Sequence, residues 1–230
     1  MRVRLVAHTF EPDMVCAAAA YTSWKKRSTD RLISQLDERE ASKFLEKVMG
    51  FGHLSVTEHA TFTFSISGIS RACSHQLVRH RIASYTQQSQ RYVRFKKSEL
   101  KYVTPPSIKK AGLEERYAKI MEQIAEAYEE LSKYVPVEDA RYVLPNAAHT
   151  NIVVTMNARE LNHFFGLRLC ERSQWEIREL AERMLREVRK VAPILFSKAG
   201  PRCESLGYCP EGELSCGRMP TKEEVLGKRP

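Results

Sequence analysis

Apolar positions along the chain switch between two periods, and the switches predict its elements. Residues 1–8 set Val3, Leu5 and Ala7 against Arg2, Arg4 and His8, the alternation of a half-buried strand. Glu11-Pro12-Asp13 then opens a helix through the alanine-rich MVCAAAAYTSW, because proline suits a first turn whose N–H groups lack partners anyway. A second helix is expected from a Thr29 or Asp30 cap to about residue 49, with Leu32, Ile33, Leu36, Phe44, Leu45 and Val48 inward and Gly50-Phe51-Gly52 ending it. After a polar turn over 53–59, Ala60, Phe62, Phe64 and Ile66 alternate with Thr61, Thr63, Ser65 and Ser67, the cleanest strand signal in the chain; Gly68 is expected to end it. Ser70 caps a predicted helix to about His80, with Ile69, Cys73 and Leu77 on its core face and Gln76, Arg79 and His80 on another.

Further on, residues 92–102 read as a short extended piece. A long amphipathic helix follows from Ser107 or Gly112 to Tyr134, and a helical turn over 138–142. Residues 151–156 read as a buried strand. Asn157-Ala158-Arg159 leads into a helix to about Arg172, and a last helix spans 174–196. With no internal repeat and no dividing linker, the pattern is that of one α+β domain over 1–200, followed by a cysteine-containing tail over 201–230.

Composition narrows the class. With 43% hydrophobic residues the chain folds, and no apolar run approaches the ~20 residues of a membrane-spanning helix. The N-terminus lacks the apolar core of a signal peptide, so a cytoplasmic location is expected. A net charge of +9 favours anionic partners.

That charge is concentrated over residues 70–94, SRACSHQLVRHRIASYTQQSQRYVR. Arg71, Arg79, Arg81, Arg91 and Arg94 stand there among histidines, glutamines and hydroxyls, without one acid. A surface helix usually mixes both signs, so this stretch points to an anionic ligand. Arg168 is the second signal. It follows Leu161, Phe164 and Phe165 at helical spacing, so it must snorkel, pair with a neighbour, or meet a ligand. Arg159 and His163 lie on a different face of the same helix.

Neither His53/His59 nor His75/His80 has the spacing of helical zinc enzymes, and no metal is expected in the site. Cys73 sits on a predicted core face, and Ser84 and Ser89 lack a triad. The glycine-rich dinucleotide and P-loop motifs are absent, leaving arginine side chains to hold phosphate. In the tail, Cys203, Cys209 and Cys216, with Cys170, are open to zinc, to a disulfide or to staying thiols. A basic nucleic-acid-binding module is the alternative reading of the arginines, although no aromatic stacking platform is interleaved with them.

Arg79-His80-Arg81, with Ser84, Ser89 and Arg91 after it, resembles the signature of the flavin-dependent thymidylate synthases. The histidine turn at His53 and His59, Ala140-Arg141-Tyr142-Val143-Leu144-Pro145, Asn157-Ala158-Arg159 and Gln174-Trp175-Glu176-Ile177 look like the same family in the same order. The resemblance implies a mixed or antiparallel sheet with long helices, assembled as a homotetramer with sites where subunits meet. It implies reductive methylation of dUMP to dTMP with FAD, methylenetetrahydrofolate and NADPH. By position, His53, Ser55, Arg79, His80, Arg81, Asn157, Ala158, Arg159 and His163 would serve FAD. Gln76, Arg79, Gln87, Gln88, Ser89, Gln90, Arg91, Arg141 and Arg168 would hold dUMP, with Arg168 on the uracil edge as the catalytic residue. Thr86 and Gln87 stand where relatives often carry Asn and Glu.

Overall fold

The computed structural model describes residues 1–26 and 28–227. Its helices are α1 (Pro12–Thr22), α2 (Thr29–Gln35), α3 (Glu38–Gly50), α4 (Arg71–Leu77), α5 (Pro106–Lys110), α6 (Glu114–Leu131), α7 (Val137–Ala140), α8 (Ala158–Arg168), α9 (Trp175–Arg189), α10 (Arg202–Leu206) and α11 (Lys222–Leu226). Strands β1 (Arg2–His8), β2 (Thr61–Ser70), β3 (Ala83–Gln87) and β4 (His149–Asn157) form one sheet in the order β1-β2-β4-β3. The β2–β4 pair is antiparallel: Arg71 N–H donates to Ala148 O at 3.0 Å near one end, and Ala158 N–H to Ala60 O at 2.8 Å near the other. Helices with an antiparallel sheet match the expected α+β class. By backbone contacts the chain divides into two compact units, each assembled from separated segments.

One unit comprises Met1–Arg2, Ser65–Arg79 and Tyr85–Val154. Here Ser70 caps α4 as expected, its hydroxyl accepting from Cys73 N–H at 2.9 Å, and Ile69, Cys73 and Leu77 are buried. The helix nevertheless stops at Leu77, so Arg79 and His80 do not extend its face. The Leu77 carbonyl, left without a helical partner, accepts instead from the Tyr85 hydroxyl at 2.9 Å. Gly68 does not end β2 either. With φ at +71° it takes a conformation that suits glycine, and the strand continues to Ser70. Strand β3 lies in a stretch expected to be loop; its half-buried Ala83, Tyr85 and Gln87 alternate with exposed Ser84 and Thr86. Residues 92–102 hold a 3-10 turn over Lys97–Glu99 and a single bridge from Tyr102 to Ala148 rather than a strand. The expected long helix is two, divided at Gly112, and α6 buries Met121, Ala125 and Tyr128. Strand β4 is buried on alternate positions only: Thr150, Ile152, Val154 and Met156 point inward, and Val153 is exposed.

The other unit comprises Val3–Phe64, His80–Ser84 and Thr155–Pro230. The second expected helix breaks between α2 and α3, because Asp37 leaves the helical conformation to accept from Glu40 N–H at 3.2 Å; Ile33 is consequently exposed. Helix α9 ends at Arg189 rather than 196, ahead of Pro193, and Arg189 Nε donates to the Phe196 carbonyl at 3.2 Å across the turn. The core is aromatic: Phe62 meets Phe196 edge-on at 5.3 Å, and Phe165 meets it at 5.9 Å. Asp13 of α1 ties this core to the chain beyond α9, its two oxygens accepting from Ile194 and Leu195 N–H, each at 3.0 Å. Asp13→Ala orphans both donors and is expected to lower unfolding free energy by roughly 2 kcal/mol, read from the urea midpoint at unchanged m.

Candidate active site

Asn157 starts the more informative helix. Its Oδ1 accepts from Glu160 N–H at 2.9 Å, capping α8, so Ala158 is buried at the first helical position and Glu160 closes the first turn. The helix period then puts Leu161, Phe164 and Phe165 in the core, with Arg168 at the end of that stripe. Arg168 is half-buried rather than snorkelling to full exposure. Its Nε donates to His80 Nε2 at 3.1 Å.

That bond fixes the tautomer of His80. Nε2 must offer its lone pair, so the ring proton sits on Nδ1, which faces Glu160 Oε1 at 3.5 Å. His80 is 4% exposed and packs edge-on against Phe164 at 4.9 Å, with His163 at 5.8 Å. Burial first, then the charges of Arg168 and His163, push its pKa down to about 4. The imidazole is therefore neutral, and the Glu160 contact is not an ion pair. Glu160, also buried, has its pKa raised by desolvation, partly opposed by His163.

Four of the other residues read from the sequence as flavin ligands line two cavities of this unit. Arg159 and His163 line one of about 440 Å³, walled by Met49, Leu54 and Leu195. His53 and Ser55 line another of about 430 Å³, beside Trp24, Phe44 and Phe51. Arg159 is exposed and ion-paired to Glu58, and Arg81 is exposed just ahead of β3.

In the first unit, residues 87–91 leave β3 along the edge of β4. Gln87 Nε2 donates to Ser74 Oγ at 2.9 Å and to Thr150 Oγ1 at 3.0 Å. Gln88 N–H donates to the Asn151 carbonyl at 2.8 Å, and Asn151 Nδ2 donates back to Gln88 Oε1 at 2.9 Å. Ser89 Oγ accepts from Arg91 N–H at 3.1 Å, holding the turn; Gln90 is half-buried within it. Gln76 is half-buried in the last turn of α4, and Arg79 is exposed just after it. Arg91 and Arg141 converge on one residue: Arg91 Nε meets Glu138 Oε2 at 2.9 Å, and Arg141 Nε donates to the Glu138 carbonyl at 3.0 Å. Arg71 is close enough to feel Arg141, and its pKa is lowered by burial and by that like charge. Arg91 on the Glu138 carboxylate, Arg141 on its carbonyl and Arg71 within reach of the Arg141 charge together gather positive charge that suits an anion.

The family model described as thymidylate synthase complementing protein matches residues 4–194. A flavin-dependent thymidylate synthase of Geobacter sulfurreducens is 53% identical over 222 residues, covering 95% of this chain and 94% of its own. One from Pyrococcus furiosus is 50% identical, over 93% and 91%. The chain belongs to the flavin-dependent thymidylate synthase family. It is an enzyme, and the resemblance read around Arg79-His80-Arg81 is correct. The Helicobacter pylori enzyme of this family, in a crystal structure with FAD and dUMP, superposes with a TM-score of 0.70 at 23% identity; it covers 87% of this chain and 100% of its own, and supports the fold. No helix among the described residues is long and apolar enough to cross a membrane.

Sequence reasoning gave Arg71 no individual role and did not single out Glu138 or Glu160. Arg71 lay in the basic stretch, but only its nearness to Arg141 distinguishes it. Glu160 sits at the third position of a capped helix, where an acid is ordinary; its burial against His80 had no sequence signal.

Proposed function

We propose that the enzyme methylates dUMP reductively to dTMP, with FAD as cofactor, methylenetetrahydrofolate as carbon donor and NADPH as reductant. The observation that carries this reading is the meeting of Arg91, at the end of the 87–91 turn, with Arg141 on Glu138, and the like-charge effect of Arg141 on Arg71. A nucleotide phosphate relieves their mutual repulsion, and the amide and hydroxyl groups of Gln76, Gln87, Gln88, Ser89 and Gln90 suit sugar and base. Gln87, neutral and already bonded to Ser74 and Thr150, contributes through its remaining carbonyl oxygen.

The residues of the second unit fit a flavin. Arg159 and His163 provide donors over one apolar-walled cavity, and His53 and Ser55 line another with three aromatic neighbours. His80, Arg81, Asn157 and the Ala158 backbone complete the set in this unit; Arg79, of the first unit, is assigned to FAD from the family motif alone. When bound, FAD supplies the hydride chemistry; the protein binds, orients and excludes water. Arg168 stabilises negative charge on the uracil, in a plane fixed by His80. No enzyme thiol serves as nucleophile in this proposal. Cys16 and Cys73 are fully buried, and burial, then the Asp13 charge, push the Cys16 thiol up to about 12.

The catalytic domain spans 1–200, with 201–230 appended, and the enzyme works in the cytoplasm. It assembles as a homotetramer with sites where subunits meet. Exposed Phe10, Trp24, Tyr92, Tyr134 and Tyr142 support such contacts. The test is titration of dUMP and FAD into purified protein, followed by assay of dTMP. FAD should bind and colour the protein, and dTMP should appear only with all co-substrates. Arg141→Ala should weaken dUMP binding about 10- to 100-fold, the value of a lost charge-assisted contact, without loss of FAD. Unchanged dUMP affinity in Arg141→Ala, or failure to form dTMP, overturns the reading.

A further inference from the structure

The tail after residue 200 keeps a defined fold with little apolar burial to hold it. Helices α10 and α11 have five residues each, and Leu206, Leu214 and Leu226 are exposed. Of the described tail residues only Pro201, Cys203 and Cys209 are buried. A segment this poor in apolar burial usually needs a covalent or metal crosslink.

The cysteines converge. Cys170, Cys203, Cys209 and Cys216 line one cavity of about 40 Å³, with Gly166 and Leu167 on the α8 side and Pro201 and Arg202 on the tail side. The approach of the two helices is close: a Cβ built on Gly166 would lie 3.1 Å from Arg202 Cγ. Cys170 lies two residues past the end of α8, whose last turn includes Gly166, and Cys203 is next to Arg202; Cys170 is close enough to Cys203 to feel its charge. Cys170 and Cys203 are therefore brought up from the two sides of one contact. A void this small accommodates rotation of sulfurs, whereas among the described residues no three His, Cys, Asp or Glu side chains are arranged to hold a metal ion. Their number and placement go beyond what the synthase reaction uses.

We propose that Cys170 and Cys203 form a disulfide that staples the tail to the C-terminal end of α8, two residues beyond Arg168. Both are thiols in the structure. The oxidant is a low-molecular-weight disulfide. Of the pair, half-buried Cys170 is the thiol it reaches first, Cys203 being buried; the Cys170 thiolate attacks one sulfur of the oxidant and expels one reduced thiol, leaving a mixed disulfide. The Cys203 thiolate then attacks the Cys170 sulfur and expels the second. Two protein S–H bonds are lost, one S–S bond is gained, and the oxidant is reduced to two thiols. Burial raises the Cys203 pKa, and the neighbouring Cys170 and Cys209 raise it further while Arg218 lowers it. The second step should therefore be the slower.

The test is oxidation of the full-length protein with oxidised glutathione, followed by alkylation under denaturing conditions and peptide mapping. The expected result is a Cys170–Cys203 linked peptide, with Cys16 and Cys73 still alkylated and exposed Cys216 either alkylated or carrying only glutathione. The mixed disulfide should precede it on Cys170. In Cys203→Ser the mixed disulfide should accumulate on Cys170 without a link, a readout that stands even if the variant is less stable. Oxidation should also slow limited proteolysis of the tail in wild type and leave it unchanged in Cys203→Ser. Six free thiols after oxidation, a link between another pair, or one zinc ion per chain protecting these thiols by elemental analysis would each overturn the proposal.

Discussion

Arg168→Ala is expected to lower kcat/KM for dTMP formation by roughly 10²- to 10³-fold, the usual loss when one preorganised charge donor is removed from a reacting centre. FAD affinity should stay within a few-fold, because Arg168 ends α8 rather than facing the cavity lined by Arg159 and His163. Arg168→Lys should recover little: an ammonium keeps the charge but cannot give His80 Nε2 a bond from Nε while presenting a planar fork. Steady-state kinetics beside FAD titration checks both. Loss of FAD binding with dUMP affinity kept would sink the assignment.

The second large effect is on stability in acid. His80 is neutral in the folded enzyme down to about pH 4, whereas in the unfolded chain its pKa is near 6.5. As pH falls through that window the unfolded chain takes up a proton that the native state does not, so stability is lost progressively from about 6.5 to 4. A gap of that size corresponds to about 3 kcal/mol. Glu160 acts the other way. Its raised pKa lets the native state bind a proton before the unfolded chain does, recovering part of the loss as pH falls. His149 is shifted downward by burial, in the same sense as His80, so the clean measurement is a difference. Denaturant unfolding of wild type and His80→Asn at pH 7 and pH 4 should show a much shallower acid loss in the variant. Parallel slopes would mean that His80 does not titrate below its usual range.

Both effects meet at residues whose partnership only partly showed in the chain. Arg168 stood out because an arginine at the end of an apolar helical stripe demands an explanation. Its neighbour His80 stood out through the basic stretch and the family motif. Their hydrogen bond did not, because 88 residues separate them and nothing local encodes the approach. Element ends were misjudged where a side chain or proline outcompeted the helix. Tyr85 takes the Leu77 carbonyl, Asp37 restarts the chain at α3, and Pro193 limits α9. Strand β3 was missed because its exposed positions are serine and threonine and its inward ones include a glutamine, so alternation there carries little hydrophobic contrast.

The amino-acid pattern by itself determined the α+β class, the β2 alternation, the Ser70 cap and the family, because these depend on local period, capping chemistry and motif order. Tertiary structure alone decided which charges face each other. It set Arg71 beside Arg141, turned the Nδ1 proton of His80 toward Glu160, and brought Cys170 to the same cavity as Cys203. The physical reason is that charge and thiol chemistry depend on burial and on neighbours distant in sequence, and packing supplies both.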